Sequence, residues 1–200
     1  MKCGKVGESM EKPIQQTLKL TVYEFISVNH YLAYRVVYKN GRPTAMSYKT
    51  AEAQRFKREF TEYVKKEVKK QGWIMSTNPY QHYYVDAVFY FPRVDMDCAN
   101  YDKLIADSIT DSGCVWLDDN CVCNRIIKVM YDNKNPRIEL TIHPTDFVGI
   151  FDGWKEAIQF ENKCKTCKRY NKNCSILRKA FEGRIQSEIV DGECTEYKEM

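Results

Sequence analysis

The chain has 200 residues, a mass of 23.6 kDa and a formal net charge of +4, room for one domain with a proper core plus a small appendage. Its 44% hydrophobic and 13% aromatic content excludes a disordered polymer. No apolar run reaches the roughly 18 residues that a membrane span needs, and the opening MKCGKVGESMEKP lacks the apolar segment of a secretory leader, so a cytoplasmic protein with no membrane partner is expected.

Residues 1–15 read as a flexible lead. Residues 17–26, TLKLTVYEFI, alternate apolar and polar and predict a strand. Asn40-Gly41 within VVYKNGRP is a strong tight-turn signal, so a hairpin or a mobile basic loop follows. Over 50–71, Phe56, Phe60, Val64 and Val68 recur every four residues and make one apolar helical stripe, ended by Gly72. HYYVDAVFYF at 82–91 is rich in β-formers and predicts a strand stopped by Pro92. An acidic turn leads into a helix from about Asn100 to Ser112, closed by Gly113. Two strands, 124–131 and 137–143, read as a hairpin around DNKNP. Pro144 to Gly153 reads as a linker, and a helix is expected near 174–190. The order implies an α+β fold, a mixed or antiparallel sheet packed with helices. The expected division is a domain over 1–150 and a Cys-rich appendage over 151–200.

Charge is uneven along the chain. From Arg35 to Lys70 there are eleven Lys and Arg against four Glu, a local excess of seven. Positive charge of this kind holds a polyanion, although a solvated helix face has the same composition. An acidic stretch follows, DMDCANYDKLIADSITDSGCVWLDDN. On a helical wheel Asn100, Lys103, Asp107 and Asp111 share a face, Asp97 precedes the helix, and Asp118 and Asp119 return after it. Carboxylates from separate elements suit Mg²⁺, which prefers hard oxygen donors. Such an ion acidifies an attacking water and offsets charge on a phosphate, and Lys103 can meet the scissile phosphate. Singly, each acid has a plainer role: Asp97 as a helix cap, Asp107 and Asp111 as solvated residues, Asp118-Asp119-Asn120 as a turn.

Asp97-x-x-Asn100-x-x-Lys103-x-x-x-Asp107 followed by Val115-Trp116-Leu117-Asp118-Asp119, with Ser27-Val28-Asn29-His30-Tyr31 upstream, resembles the RusA family of Holliday junction resolvases. These are small phage and prophage endodeoxyribonucleases of DNA recombination and repair. The resemblance covers roughly residues 17–144. It implies an α+β fold, a symmetric homodimer and magnesium-dependent cleavage of branched DNA. It places the essential carboxylates on Asp97 and on Asp119, the latter with Asp118 beside it, and the lysine on Lys103. The usual motif, D-x-D-N-x-x-K, has its second Asp where this chain has Ala99. Either Asp95, Asp102 or Asp107 supplies the missing oxygen, or the site is weakened.

The expected catalytic set is therefore Asp97, Lys103, Asp118 and Asp119. The expected ligands of Mg²⁺ (or Mn²⁺) are Asp97, Asp107, Asp118 and Asp119. Asn29, Arg35, Lys39, Arg42 and Asn100 are the candidate contacts to a four-way DNA junction. Two further readings stand beside this one: a catalytically weak DNA-binding module, and a less selective nuclease of flaps or duplex ends.

Nine cysteines are many for a cytoplasmic chain, and four fall in the last 37 residues. Cys164, Cys167, Cys174 and Cys194 have the spacing C-x2-C-x6-C-x19-C, which suits tetrahedral Zn²⁺. Free thiols beside a packed helix, or a redox-active tail, are the alternatives. The tail helix would bury Ile176, Leu177, Ala180, Phe181 and Ile185. Cys98, Cys114, Cys121 and Cys123 read as ordinary thiols, and His30, His82 and His143 as structural residues.

Overall fold

The computed structural model describes residues 13–200, so most of the expected flexible lead lies outside the described residues. The chain forms two compact units. One holds Gln16–Met75 and Tyr84–His143; the other holds Ser76–Tyr83 and Pro144–Met200, with 13–15.

In the first unit the elements follow local pattern closely. Strand β1 (Leu18–Val22) buries alternate residues. A single turn, α1 (Val28–Tyr31), leads into β2 (Leu32–Lys39) and β3 (Arg42–Lys49), a separate two-stranded ribbon. Asn40 and Gly41, at φ of 51° and 73°, make its tip, because a two-residue hairpin turn needs positive φ at both positions. Helix α2 (Ala51–Gln71) is capped by the Thr50 side chain, which accepts from Ala53 N at 3.2 Å, and buries Phe56, Phe60, Val64 and Val68 as one stripe. Each such side chain contributes about 1.5–3 kcal/mol through burial.

Strand β4 (Tyr83–Phe91) alternates strictly between buried and half-buried residues. Helix α3 (Asp102–Ser112) packs on α2, where the Thr61 hydroxyl donates to Ser108 O at 3.0 Å. Strands β5 (Val122–Tyr131) and β6 (Arg137–Pro144) complete the sheet, whose order is β1-β6-β4-β5.

That order corrects one expectation. β5 and β6 are not a hairpin; β4 lies between them. Asp132 N, just past β5, donates to Phe91 O at the end of β4 at 2.8 Å, so those two strands end together and run parallel, joined through α3. Arg137, opening β6, stacks 3.7 Å from the Tyr90 ring near the end of β4, so β6 runs the other way. The sheet is mixed, and its most regularly buried strand is central rather than at an edge.

The second unit has its own core, including Val148, Phe151, Trp154, Phe160, Leu177 and Phe181. Here too the structure departs from expectation. The main helix is α4 (Trp154–Lys165), starting at the end of the expected linker, where Trp154, Ala157, Phe160 and Glu161 recur at helical spacing. Helix α5 (Ile176–Phe181) is only six residues long. Gly183, at φ 76°, stops it, and Ile185 beyond it is 85% exposed rather than buried. A short hairpin, β7 (Ile189–Val190) and β8 (Glu193–Cys194), follows, and Glu199 beyond it bridges Cys167.

Candidate active site

The acidic segment folds as two short turns flanking α3. Asp97 caps a 3-10 turn, Cys98–Asn100, with its carboxylate accepting from Ala99 N at 3.0 Å. Asn100 therefore lies outside α3, not on its face as the wheel predicts. Asp118 caps a second 3-10 turn, Asp119–Cys121, accepting from Asn120 N at 3.1 Å. The plainer capping roles of Asp97 and Asp118 are thus real, and each cap leaves a second carboxylate oxygen for other chemistry.

Lys103 joins the segments. Its ammonium lies 2.7 Å from Asp107 Oδ1, one helical turn on, and 3.1 Å from Asp119 Oδ2 across the glycine turn. Hydrogen bonds to Asp107 and then Asp119 hold the Lys103 pKa well above the ordinary lysine range. Asp107 is the hub. Its other oxygen accepts from the Tyr31 hydroxyl at 3.0 Å, and the Lys49 ammonium stands 3.9 Å away. Burial pushes the Asp107 carboxyl up, but the bonds from Lys103 and Tyr31 and the charges of Lys103 and Lys49 outweigh it, leaving the pKa below the usual range. Burial and the bond to Asp107 push the Tyr31 phenol up.

Of Asp95, Asp102 and Asp107, the three candidates for the carboxylate missing at Ala99, Asp107 is the one that meets Lys103. Asp95 pairs with Arg93 at 3.0 Å on the surface. Asp102 lines an apolar pocket with Ile105 and Trp116, and burial raises its pKa. Asp111 turns to α2, 2.5 Å from Lys57. Among the described residues, Asp97 and Asp118 make no hydrogen bond or ion pair with Lys103, Asp107 or Asp119.

Tyr31 and Lys49 are site neighbours with no assigned role in the sequence reading. They flank the β2–β3 ribbon, whose base is tied by Thr50 N to Tyr31 O at 3.1 Å. Register puts Arg35 opposite Met46 and Lys39 opposite Arg42 on one ribbon face; Tyr34, Val36 and Tyr38 take the other and are 73%, 64% and 76% exposed. Arg35 lies 5.5 Å from the Tyr48 ring centroid. Among the described residues Arg35, Lys39 and Arg42 form no ion pair. Much of the charge on α2 is paired, Arg55 with Glu24 and Glu59, Lys65 with Glu62, and Lys70 with Glu67. Arg58, Lys66 and Lys69 of α2 are exposed as well, so the accessible basic surface is the ribbon together with part of α2, and the ribbon rises from the same residues that hold Asp107. Asn29, in the turn before it, is exposed.

The sequence profile of endodeoxyribonuclease RusA matches residues 33–143, taking in nearly all of the ribbon, α2, strands β4 to β6 and every aspartate of the acidic segment from Asp95 to Asp119. The chain belongs to the RusA endodeoxyribonuclease family. It is thus an enzyme of DNA phosphodiester cleavage by family, and the match ends before the Cys-rich tail. No curated protein matches it closely.

Family membership makes a divalent ion the relevant cofactor of this RusA-type site. In kind, the donors fit: Asp107 and Asp119, from separate elements, already share one cation, the Lys103 ammonium. In number they are few. Among the described residues no three His, Cys, Asp or Glu side chains stand together as an ion-holding group. A Mg²⁺ shell commonly takes the remainder from water and phosphate. Among the described residues no helix is long and apolar enough to cross a membrane.

Proposed function

We propose that this protein is a Mg²⁺- or Mn²⁺-dependent endonuclease that resolves four-way DNA junctions in recombination and repair, acting in the cytoplasm as a symmetric homodimer. The observation that carries the reading is the Lys103 bridge, which joins Asp107 and Asp119 at a site rooted beside a basic ribbon. Asp107 and Asp119 would hold the ion, with Asp97 and Asp118 offering their uncapped oxygens. The chemistry such an ion supplies is charge neutralisation on the phosphate and acidification of the attacking water.

The protein's own groups divide the remaining work. Lys103 supplies positive charge that faces the phosphate or leaving oxygen once the carboxylates are otherwise engaged. Tyr31 and Lys49 keep Asp107 ionised and oriented. Arg35, Lys39 and Arg42 hold phosphates of the junction arms, and a two-stranded ribbon is of a size to enter a DNA groove. Asn29 and Asn100 are the neutral contacts. Two copies would set two sites on opposing strands.

The test compares matched junction, flap and duplex substrates with and without Mg²⁺. Magnesium-dependent cutting of the junction above the others is expected, with Asp119→Asn losing at least about a hundredfold. Equal cutting of all three substrates would make the protein an unselective nuclease. Ala99, at the position of a motif carboxylate, favours one second reading, a DNA-binding module with weakened catalysis. Junction binding without cutting in either Mg²⁺ or Mn²⁺ would establish it.

A further inference from the structure

The last eighteen residues, 183–200, contain no buried side chain and only the two-residue strands β7 and β8. Half-buried Ile189 and Cys194 pack on the apolar cluster of the second unit, which is little burial to offset the cost of ordering the segment. Its side-chain fastenings are exposed: Lys163 to Glu193 at 2.7 Å, Arg169 to Glu196 at 2.6 Å, and Thr166 Oγ1 to Tyr197 OH at 2.9 Å. Such surface pairs are weak. The segment's backbone is held beside Cys167, where Lys168 N donates to Lys198 O at 2.8 Å and Cys167 bridges Glu199.

Four thiols lie where this segment is fastened. Cys164 is in the last turn of α4, and Cys167 follows in a tight turn, its N–H donating to Cys164 O at 3.0 Å. Cys174 precedes α5. Cys194 lies in β8, delivered by the Asp191-Gly192 turn, both residues at positive φ. Cys164, Cys174 and Cys194 pack against the same apolar cluster. Cys167 Sγ accepts the Lys198 N–H at 3.4 Å, a backbone bond of the kind that supports a thiolate.

We propose that Cys164, Cys167, Cys174 and Cys194 hold one structural Zn²⁺ that fastens residues 183–200 to the end of α4 and the start of α5. Four sulfurs fill a tetrahedral shell and leave no position for substrate, which makes the site structural and closed. Among the described residues no three ligands already stand as an ion-holding group, so the thiols draw together on binding. Each Zn–S bond forms as that thiol's proton leaves to solvent. The site then carries two net negative charges. Lys168 and Lys172 lie between its second and third cysteines, while Lys165 and Arg169 pair with Glu161 and Glu196. This site is separate from the nuclease reading and stands without it.

Elemental analysis of the purified full chain should find about one zinc per chain. Cys167→Ser and Cys194→Ser should each lose most of it, while Cys114→Ser, outside the cluster, keeps it. Chelator treatment of the wild-type chain should open 183–200 to proteolysis. Replacing zinc with Co²⁺ gives a reading free of variants: cobalt–thiolate charge-transfer absorption supports the site, and its absence overturns it. Zinc well below one equivalent, or a mass lowered by two disulfides among the four cysteines, also overturns it.

Discussion

The Tyr31 hydroxyl donates to Asp107 Oδ2 at 3.0 Å, joining residues 76 apart in sequence. Tyr31 lies at the foot of the ribbon and Asp107 on α3, so this bond ties the DNA-binding candidate to the acidic site. Asp107 in turn holds Lys103 through its other oxygen.

Tyr31→Phe removes that bond while keeping the ring. Cleavage should fall roughly tenfold, about 1.4 kcal/mol of transition-state stabilisation. The sign of the pH effect follows from Asp107, whose folded pKa is lowered partly by Tyr31. Without the phenol the carboxyl protonates at higher pH, so the acid limb of the pH–rate profile should move upward. An unmoved limb would separate Asp107 from the rate-controlling ionisation.

Arg35→Ala, Lys39→Ala and Arg42→Ala should each weaken junction binding. If each removes one phosphate contact, the slope of log affinity against log salt should become shallower by about 1 per substitution. Lys65→Ala, on the paired surface of α2, serves as the comparison and should leave the slope unchanged. Binding titrations at several salt concentrations measure both.

Asp86 takes a bidentate bond from Arg125, at 2.6 and 2.8 Å, and lies 3.2 Å from His143 Nε2. The Arg125 bonds, against burial and with help from His143, hold its carboxyl below the usual range. A depressed folded pKa gives stability that is present above the unfolded value and lost as pH falls through the folded one. Asp86→Asn should therefore cost about 1–2 kcal/mol at neutral pH, and the difference from wild type should shrink below about pH 4. Urea melts at neutral and acid pH test this.

Gly149 sits at φ 58°, and a Cβ there would stand 2.1 Å from the Ala180 carbonyl oxygen and 2.7 Å from Phe181 Cα. Both are backbone atoms that cannot turn aside. Gly149→Ala should destabilise the second unit by about 2–3 kcal/mol, seen as a lower melting transition with the tail's protease resistance lost first.

By itself the sequence determined whatever is written locally. The four-residue stripe of Phe56, Phe60, Val64 and Val68 defined α2, the run of β-formers over 82–91 defined a strand, and Asn40-Gly41 defined a hairpin tip. The motif around Lys103, with Asp119 beyond a glycine turn, marked the acidic site and the family. A helix was not evident over 154–165, because charged residues interrupt its apolar face and the strongest signal nearby was cysteine spacing.

The tertiary structure decided which surfaces meet. Periodicity shows which side of an element is apolar but not what covers it. Hence β4 could not be foreseen between β5 and β6, nor Asp111 beside Lys57. For the same reason the wheel could not distinguish Asp107 from Asp111 as the partner that, with Tyr31 and Lys49, completes the site. That choice depends on α3 packing against α2 and the base of the ribbon, contacts between segments far apart in the chain.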